Sequence, residues 1–409
     1  MKEKPRILIL LPPAYRWTDA FEAAARKIDV DLLFASDAPE TFPARTMPPI
    51  LKLPYHALDK LIESARQLHH ERPFAAAIGV DNETVWLAAL IADTLDLTHN
   101  PIPTLEALRF KHLSRQKLLD AGLPIPRFFQ FSIQDDPERL AQLVPYPCIL
   151  KPTFLSGTRG VFPSKNEREF LQAFQQIREI VSRAPERRRA GRHGYVLLVE
   201  DYIEGREILV EGYVQNREVK ILQMLDRFAD EDALPCSTVL YTSPSRLPFS
   251  YQQLVERLLD RTVSALGISR GPILARFRIN ARGVWILDIS PTSLYGPGTQ
   301  LLRFPENQTF EELMLRELMG EPILFPDPLP EATGMLALMA PQPARVMQID
   351  GVEAARQVKG IEAVVLLSRP DQPAEPRCLG FILARGKKPD QVETSLRRAR
   401  QLLHFQTEA

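Results

Sequence analysis

The sequence lacks an excess of either charge. Lysine and arginine together number 51, aspartate and glutamate together also number 51, and the formal net charge is zero. A dedicated nucleic-acid binder normally carries a basic excess, so no nucleic-acid partner is expected. Cysteine is scarce as well, because Cys148, Cys236 and Cys378 lie far apart and form no C-x-x-C pair. We interpret these three residues as buried or incidental thiols in a reducing compartment.

Long hydrophobic runs are also missing. The apolar run at residues 7–11 stops at Pro12 and Pro13, and it is too short for a signal-peptide core or a membrane span. No later stretch approaches 18 uninterrupted apolar residues. We therefore expect this run to form a buried strand, and we expect a cytoplasmic protein with no membrane partner.

Several motifs of catalysis and cofactor binding are absent. The first apolar run is followed by L-P-P-A-Y and not by G-x-G-x-x-G, so the dinucleotide fingerprint is missing. There is no H-E-x-x-H, no Cys/His grouping at zinc spacing and no G-x-S-x-G. The basic stretch 183–193 lacks interleaved aromatic residues, and we interpret it as a solvated loop.

The chain of 409 residues can bury two or three cores, because a single core stops growing beyond roughly 250–300 residues. Over the first hundred residues, short apolar runs alternate with helical patterns. The predicted strands are 6–11, 30–34 and 75–80, and the predicted helices are 17–28, 56–71 and 82–95. Such alternation predicts a parallel sheet with helices on its faces. A single helix is predicted at 104–121, with Thr104 as its cap and Gly122 and Pro124 ending it.

Four motifs follow one another in the middle of the chain. They are L-R-F-K-H-L-S-R-Q-K-L around Lys111, I-L-K-P-T-F-L-S-G-T-R-G-V around Lys151, V-E-D-Y-I-E-G-R-E at residues 199–207, and the pair G-P-I-L-A-R-F-R and V-W-I-L-D-I-S-P. In order and spacing this set resembles the ATP-grasp superfamily, and within it the L-amino-acid-ligase-like carboxylate–amine ligases. The later segment G-F-I-L-A-R-G-K-K-P-D-Q-V-E-T-S-L-R-R-A resembles the small final domain of those ligases.

The resemblance implies an α/β protein with the ATP-grasp fold. The expected parts are an N-terminal parallel-sheet domain (1–103), an ATP-grasp domain (104–325, with its nucleotide-binding subdomain at about 145–205) and a small C-terminal α/β domain (331–409). It also implies ligation of a carboxylate, expected to be that of an amino acid, to an amine through an acyl phosphate. The implied cofactors are ATP and Mg²⁺, and the implied partners are nucleotide and small carboxylate and amine substrates. A homodimer is left open.

The same resemblance implies a nucleotide site. ATP carries about four negative charges, so Lys111 and Lys151 are expected to meet its phosphate oxygens. Glycines let backbone N–H groups approach phosphates closely, which favours a phosphate-covering loop. That loop consists of Ser156, Gly157, Thr158, Arg159 and Gly160. Glu200 begins the hinge at the adenine edge, where Tyr202 and Ile203 offer backbone groups and an apolar face. Glu207 matches the position that bonds the ribose hydroxyls.

The expected metal site departs from the family pattern. ATP-grasp enzymes commonly hold Mg²⁺ with an acid on one strand and a Glu, often followed by Asn, on the next strand. The matching residues here are Arg276 on the first strand, and Asp288 and Ser290 on the second. An arginine at this place repels a divalent cation. Thr292 stands where an arginine often follows, and Ser237 and Thr238 stand where two glutamates occur in the most similar ligases.

Two functions therefore remain open. In the first, the protein is a ligase, Asp288 holds a single Mg²⁺ with Ser290 beside it, and Arg276, Arg246 or Arg303 receives the substrate carboxylate. In the second, the protein is a degenerate ATP-grasp pseudoenzyme that binds nucleotide or a partner without ligation. There Arg276 fills the place of the metal by pairing with phosphate or with Asp288. A third arrangement has Arg276 pointing to solvent or to an internal ion pair.

Overall fold

A computed structural model describes residues 4–13, 15–42, 49–155, 159–229, 239–294, 298–321, 325–339, 345–367 and 378–408. Within these ranges no helix is both long enough and apolar enough to cross a membrane.

The N-terminal part is a parallel sheet with helices. Its elements are β1 (Arg6–Leu10), α1 (Thr18–Ile28), β2 (Asp31–Ser36), β3 (Leu51–Lys52), α2 (Leu58–Glu71), β4 (Ala76–Gly79) and α3 (Asn82–Thr94). The strands lie in the order β3-β2-β1-β4 and all pair in parallel. The consecutive residues Ile7 to Leu10 are fully buried, as expected when both faces of a parallel sheet are covered. The predicted parallel sheet is confirmed.

A small antiparallel sheet with helices follows. Its elements are α4 (Ile102–Arg109), α5 (Lys111–Asp120), β5 (Phe128–Ser132), α6 (Pro137–Ala141), β6 (Cys148–Pro152), β7 (Phe162–Ser164), α7 (Glu167–Arg183), α8 (Glu186–Ala190) and β8 (Val196–Asp201). The strands lie in the order β5-β8-β6-β7. We call this unit the small sheet.

The prediction of one helix over residues 104–121 is wrong, because two helices meet at Phe110. Phe110 is extended, with φ −107° and ψ 100°, and the backbone N–H of Lys111 donates to the carbonyl of Thr153 at 3.0 Å. Thr104 lies inside α4 and does not cap it. The break is caused by a contact with a segment more than forty residues away, and it places Lys111 at the start of a helix beside β6.

The rest of the chain builds the central sheet. Its elements are β9 (Arg206–Gln215), β10 (Glu218–Ala229), β11 (Val239–Ser243), α9 (Phe249–Leu266), β12 (Gly271–Asn280), β13 (Gly283–Ser290), α10 (Phe310–Leu318), β14 (Ala332–Met339), β15 (Arg345–Asp350), α11 (Val352–Arg356), β16 (Ile361–Leu366), β17 (Cys378–Gly386), α12 (Pro389–Leu402) and β18 (His404–Glu408). The strand order is β13-β12-β9-β10-β11-β14-β17-β16, and β15 pairs with β18 separately. The C-terminal strands therefore extend the central sheet through the antiparallel pair β11–β14.

The two faces of the central sheet differ in character. On one face Ile208, Ala275 and Phe277 are fully buried in a core that includes Val255 and Leu259 of α9. Side chains alternate along a strand, so the residues between them point to the opposite face. That face carries charged side chains on β9 and β12, and Arg278 on β12 donates a hydrogen bond to the carbonyl of Ile203, in the segment that joins the small sheet to β9. It is the face on which the candidate site lies.

Candidate nucleotide site

Buried cations surround Glu200 on the small sheet. The ammonium group of Lys151, on β6, lies 2.6 Å from Oε2 of Glu200, at the end of β8. The guanidinium Nε of Arg115, on α5, donates to Oε1 of the same carboxylate at 2.5 Å. Arg115 also donates through Nη2 to the carbonyl of Leu287 on β13. Arg115 therefore links the small sheet to the central sheet, and both oxygens of Glu200 are occupied.

Lys111 lies next to this group. Its ammonium group donates to the carbonyl of Leu155 at 2.6 Å, which is its only acceptor among the residues that the structure describes. The pKa of Lys111 is lowered to about 8, chiefly by burial; Lys151 and Arg276 add to the lowering, and Asp288 and Glu200 oppose it. An ammonium has three N–H donors, so Lys111 keeps capacity for an anion. A phosphate group fits this place by charge and by hydrogen bonding.

Burial and the ion pair act in opposite directions on the pKa values of Glu200 and Lys151. Burial lowers the pKa of Lys151, and the Glu200 carboxylate partly restores it. Burial alone would raise the pKa of Glu200, but Arg115 and Lys151 together hold that pKa below its ordinary value. Glu200 is therefore a carboxylate between two cations at neutral pH.

A second cluster forms around Glu207 on β9. Arg278 of β12 is its direct cross-strand neighbour, and Nη2 of Arg278 donates to Oε2 of Glu207 at 2.6 Å. Nη1 of Arg278 donates to the carbonyl of Ile203 at 3.0 Å, and its guanidinium lies 5.7 Å from the ring centre of Tyr202. Arg227 donates to Glu207 at 3.4 Å. The residues predicted for the adenine edge and the ribose are thus connected through Arg278.

Arg276 and Asp288 form an ion pair at the expected metal position. They are cross-strand neighbours on β12 and β13, and Nη2 of Arg276 donates to Oδ2 of Asp288 at 2.9 Å. Burial opposes both charges, but each partner stabilises the other: the pKa of Arg276 lies above its ordinary value and the pKa of Asp288 lies below. Ser290 follows two residues later and pairs with Leu274. The described residues contain no group of three or more His, Cys, Asp or Glu side chains that could hold a metal ion. Arg276 stands in place of one expected acid, and its guanidinium binds the other acid, Asp288. These residues therefore do not fit Mg²⁺.

The other predicted residues lie in different surroundings. Ser156, Gly157 and Thr158 lie outside the described residues. Arg159 forms two hydrogen bonds of 2.9 Å with Glu186, and Gly160 has a positive φ of 76°. The structure thus leaves the role of this loop a prediction.

Two candidate arginines contact the C-terminal part of the chain. Arg246 pairs with Asp390 and with Glu393 of α12, at 2.7 Å for Glu393. Arg303 pairs with Glu362 on β16 at 3.0 Å. Neither shares a partner with Arg276, which interacts with Asp288. Their predicted role in receiving a carboxylate stays a prediction.

Four charged or polar residues of the site were not predicted. They are Arg115, Arg227, Arg278 and Tyr241, the last a partly buried residue whose pKa is raised by burial first and by Glu207. A local signal existed for two of them. Arg115 lies four residues after Lys111 on α5, and Arg278 lies two residues after Arg276 on β12, so each shares a face with a predicted residue. Arg227 and Tyr241 come from β10 and β11, which only the sheet pairing brings alongside β9.

Comparison with known families supports the same reading of the fold. Residues 144–300 match the ATP-grasp domain, and residues 336–408 match the L-amino acid ligase C-terminal domain 2. An uncharacterised protein of Sinorhizobium fredii, y4rH, is 23% identical over a match of 309 residues that covers 71% of this chain. The match spans only 59% of that relative's length.

Solved structures are similar over nearly the whole chain. An L-amino acid ligase from Bacillus licheniformis superposes with a TM-score of 0.81 at 19% identity, covering 100% of both chains. An N5-carboxyaminoimidazole synthase from Aspergillus clavatus, in complex with ADP and 5-aminoimidazole ribonucleotide, gives 0.73 at 14% identity over 98% and 99% of the two chains. A biotin carboxylase–ATP-analogue complex from Campylobacter jejuni gives 0.68 at 14% identity over 99% and 92%. This chain therefore has the ATP-grasp fold and contains an ATP-grasp domain and an L-amino acid ligase C-terminal domain.

Proposed function

We propose that this protein binds ATP between the small sheet and the central sheet, and that it joins a carboxylate, that of an amino acid, to an amine. The observation that carries the proposal is the burial of the two ammonium groups of Lys111 and Lys151 near Glu200 and Asp288. Taking each ion out of water costs several kcal/mol, and the two carboxylates near these ammonium groups are also paired with Arg115 and Arg276. An anionic ligand supplies the missing negative charge.

Each residue then has a defined task. Lys111 and Lys151 hold phosphate oxygens, the backbone at Tyr202 and Ile203 meets the adenine edge, and Glu207 accepts hydrogen bonds from the ribose. In the proposed reaction a carboxylate oxygen takes the γ-phosphoryl group of ATP and ADP leaves. The amine then attacks the acyl carbon of the acyl phosphate and phosphate leaves. Two sheets that close on the nucleotide exclude water, and this protects such a reactive group.

Of the three arginines predicted to receive the substrate carboxylate, Arg276 fits best. Its partner Asp288 interacts with Lys111 and Lys151, so Arg276 shares the surroundings of the phosphate-binding residues. Arg246 and Arg303 are each bound by acids of the C-terminal part of the chain. We assign no step to Mg²⁺, because the residues at its expected position do not fit it.

The test combines binding and turnover. Isothermal titration calorimetry of the full chain with ATP should show one site, and Lys111→Met and Lys151→Met should each weaken binding on the order of tenfold or more. Lys220→Met is the matched control, since Lys220 forms an exposed pair with Asp327. Release of ADP should then depend on an amino acid together with an amine. Absence of ATP binding, or equal binding by the Lys111 and Lys220 variants, would contradict the proposed site.

The ion pair of Arg276 with Asp288 favours a second candidate function, a nucleotide-binding protein that does not ligate. Asp288 matches the position of an acid that holds Mg²⁺ during phosphoryl transfer, and here it is bound to the guanidinium of Arg276. The two candidates differ in one measurement. ATP binding without ADP release, across a panel of amino-acid pairs, supports the second function and contradicts the first.

A further inference from the structure

The described side chains around the candidate site carry an excess of positive charge. Ion pairs and longer-range charge interactions connect six cations with three carboxylates, which leaves a net charge of three positive units. The cations are Lys111, Arg115, Lys151, Arg227, Arg276 and Arg278, and the carboxylates are Glu200, Glu207 and Asp288. Protein sites for Mg²⁺ are built from oxygen ligands that include carboxylates, so their side chains carry negative charge. The net charge of the side chains around this site has the opposite sign.

The sheet itself fixes Arg276 in this place. Phe277, its neighbour on β12, is fully buried on the opposite face, and the antiparallel register sets Arg276 directly beside Asp288. A register shift follows immediately, between Arg276 and Phe277. A divalent ion at Asp288 would have to displace the guanidinium of Arg276, whose backbone is held between β13 and β9 by the strand pairing.

Donor groups remain for an anion. Among the described residues, Arg276 uses only Nη2, on Asp288, although a guanidinium carries five N–H donors. Nε of the neighbouring Arg278 is buried and has no hydrogen-bond partner in the described part of the chain. An unpaired buried donor such as Nε of Arg278 is costly, and a ligand oxygen is a suitable acceptor for it.

We propose that Arg276 serves as the built-in cation of this site, and that the protein binds ATP as its metal-free anion in preference to the Mg²⁺ complex. This inference rests on the proposed binding of ATP. Metal-free ATP carries about four negative charges and its Mg²⁺ complex about two, so a site with excess positive charge attracts the free form more strongly. The side chains of Arg278 and Lys111 then contact phosphate oxygens where other proteins of this fold use a metal. Arg276, which among the described residues uses only Nη2 on Asp288, has donors for a phosphate oxygen as well as for the substrate carboxylate.

The experiment is calorimetric titration of the full chain with ATP, once in EDTA and once in excess MgCl₂. We expect a dissociation constant in EDTA that is lower than the one in MgCl₂, and equal constants would overturn the preference. Binding that requires Mg²⁺ overturns this inference but leaves the proposed ATP binding intact. Absence of binding under both conditions overturns both.

Variants provide a second test. Arg276→Glu should weaken metal-free binding on the order of tenfold or more and make binding depend on Mg²⁺, with folding checked by thermal unfolding. Arg26→Glu is the matched control, since Arg26 lies on α1 with its side chain 72% exposed, and it should change nothing. Asp288→Asn keeps the test decisive if Arg276→Glu does not fold. Tighter binding of ATP in EDTA by Asp288→Asn than by the wild type supports a built-in cation. Weaker binding by this variant in MgCl₂, with no gain in EDTA, overturns it.

Discussion

Replacing Glu200 by glutamine tests the electrostatics of the site without changing its shape. The glutamine side chain is nearly the same size, but it leaves Lys151 and Arg115 buried without a carboxylate. Removing one partner of a buried ion pair costs about 3–5 kcal/mol of unfolding free energy. With an unfolding entropy of about 2.1 cal/mol/K per residue over 409 residues, this corresponds to a fall in Tm of about 3–6 °C.

The measurement is calorimetric or fluorescence-monitored thermal unfolding of Glu200→Gln at neutral pH. Asp201→Asn is the matched control, because Asp201 is the next residue and pairs with Arg127 in a largely exposed ion pair. Exposed pairs contribute about 0–1 kcal/mol, so this control should change Tm by about 1 °C or less. Equal effects of the two substitutions would refute the reasoning.

The same variant gives a pH dependence with a defined sign. Arg115 and Lys151 hold the pKa of Glu200 below its ordinary value, against the effect of burial. Its stabilising contribution is therefore present at pH values above 4.5, the ordinary pKa, and is lost as the pH falls through the lower pKa of the folded state. The difference in Tm between the wild type and Glu200→Gln should shrink over that acidic range. A difference that does not change with pH would show that the charge of Glu200 is not its cause.

Three further predictions address proton uptake and packing. Because the pKa of Lys111 is about 8, ATP binding at pH 8 should be accompanied by uptake of about half a proton, and ATP binding by the Lys111→Arg variant by no uptake. Calorimetric titrations in two buffers of different ionisation enthalpy measure the number of protons taken up. Equal binding enthalpies in the two buffers would contradict the prediction. Phe277→Ala should lower the free energy of unfolding, measured with urea, by about 3–5 kcal/mol. It should leave the effect of Mg²⁺ on ATP binding unchanged, because Phe277 and Arg276 lie on opposite faces of the central sheet. Tyr213→Phe should lower the free energy of unfolding by about 1–3 kcal/mol in the same assay, since the hydroxyl of Tyr213 donates to the buried Glu317 at 3.0 Å. An unchanged free energy of unfolding would show that this hydrogen bond does not contribute to stability.

Local pattern was sufficient for much of the fold. The alternation of apolar runs and helical patterns predicts the parallel sheet of β1, β2 and β4, because these elements depend on the burial of neighbouring residues. The break at Phe110 was missed because its cause is not local: the N–H of Lys111 bonds to Thr153. The pairing of β14 with β11 was also missed, since the sequence of neither strand indicates which other strand it will pair with.

The sequence by itself determined which chemical groups the site contains: the ordered motifs named Lys111, Lys151, Glu200 and Glu207, and they placed an arginine where an acid is expected. Only the tertiary structure decided what these groups do to one another. Three arrangements were open for Arg276, and the pairing of β12 with β13 selects the ion pair with Asp288. The reason is physical: the charge state and free donors of a buried group depend on neighbours that are distant along the chain, and no local pattern records them.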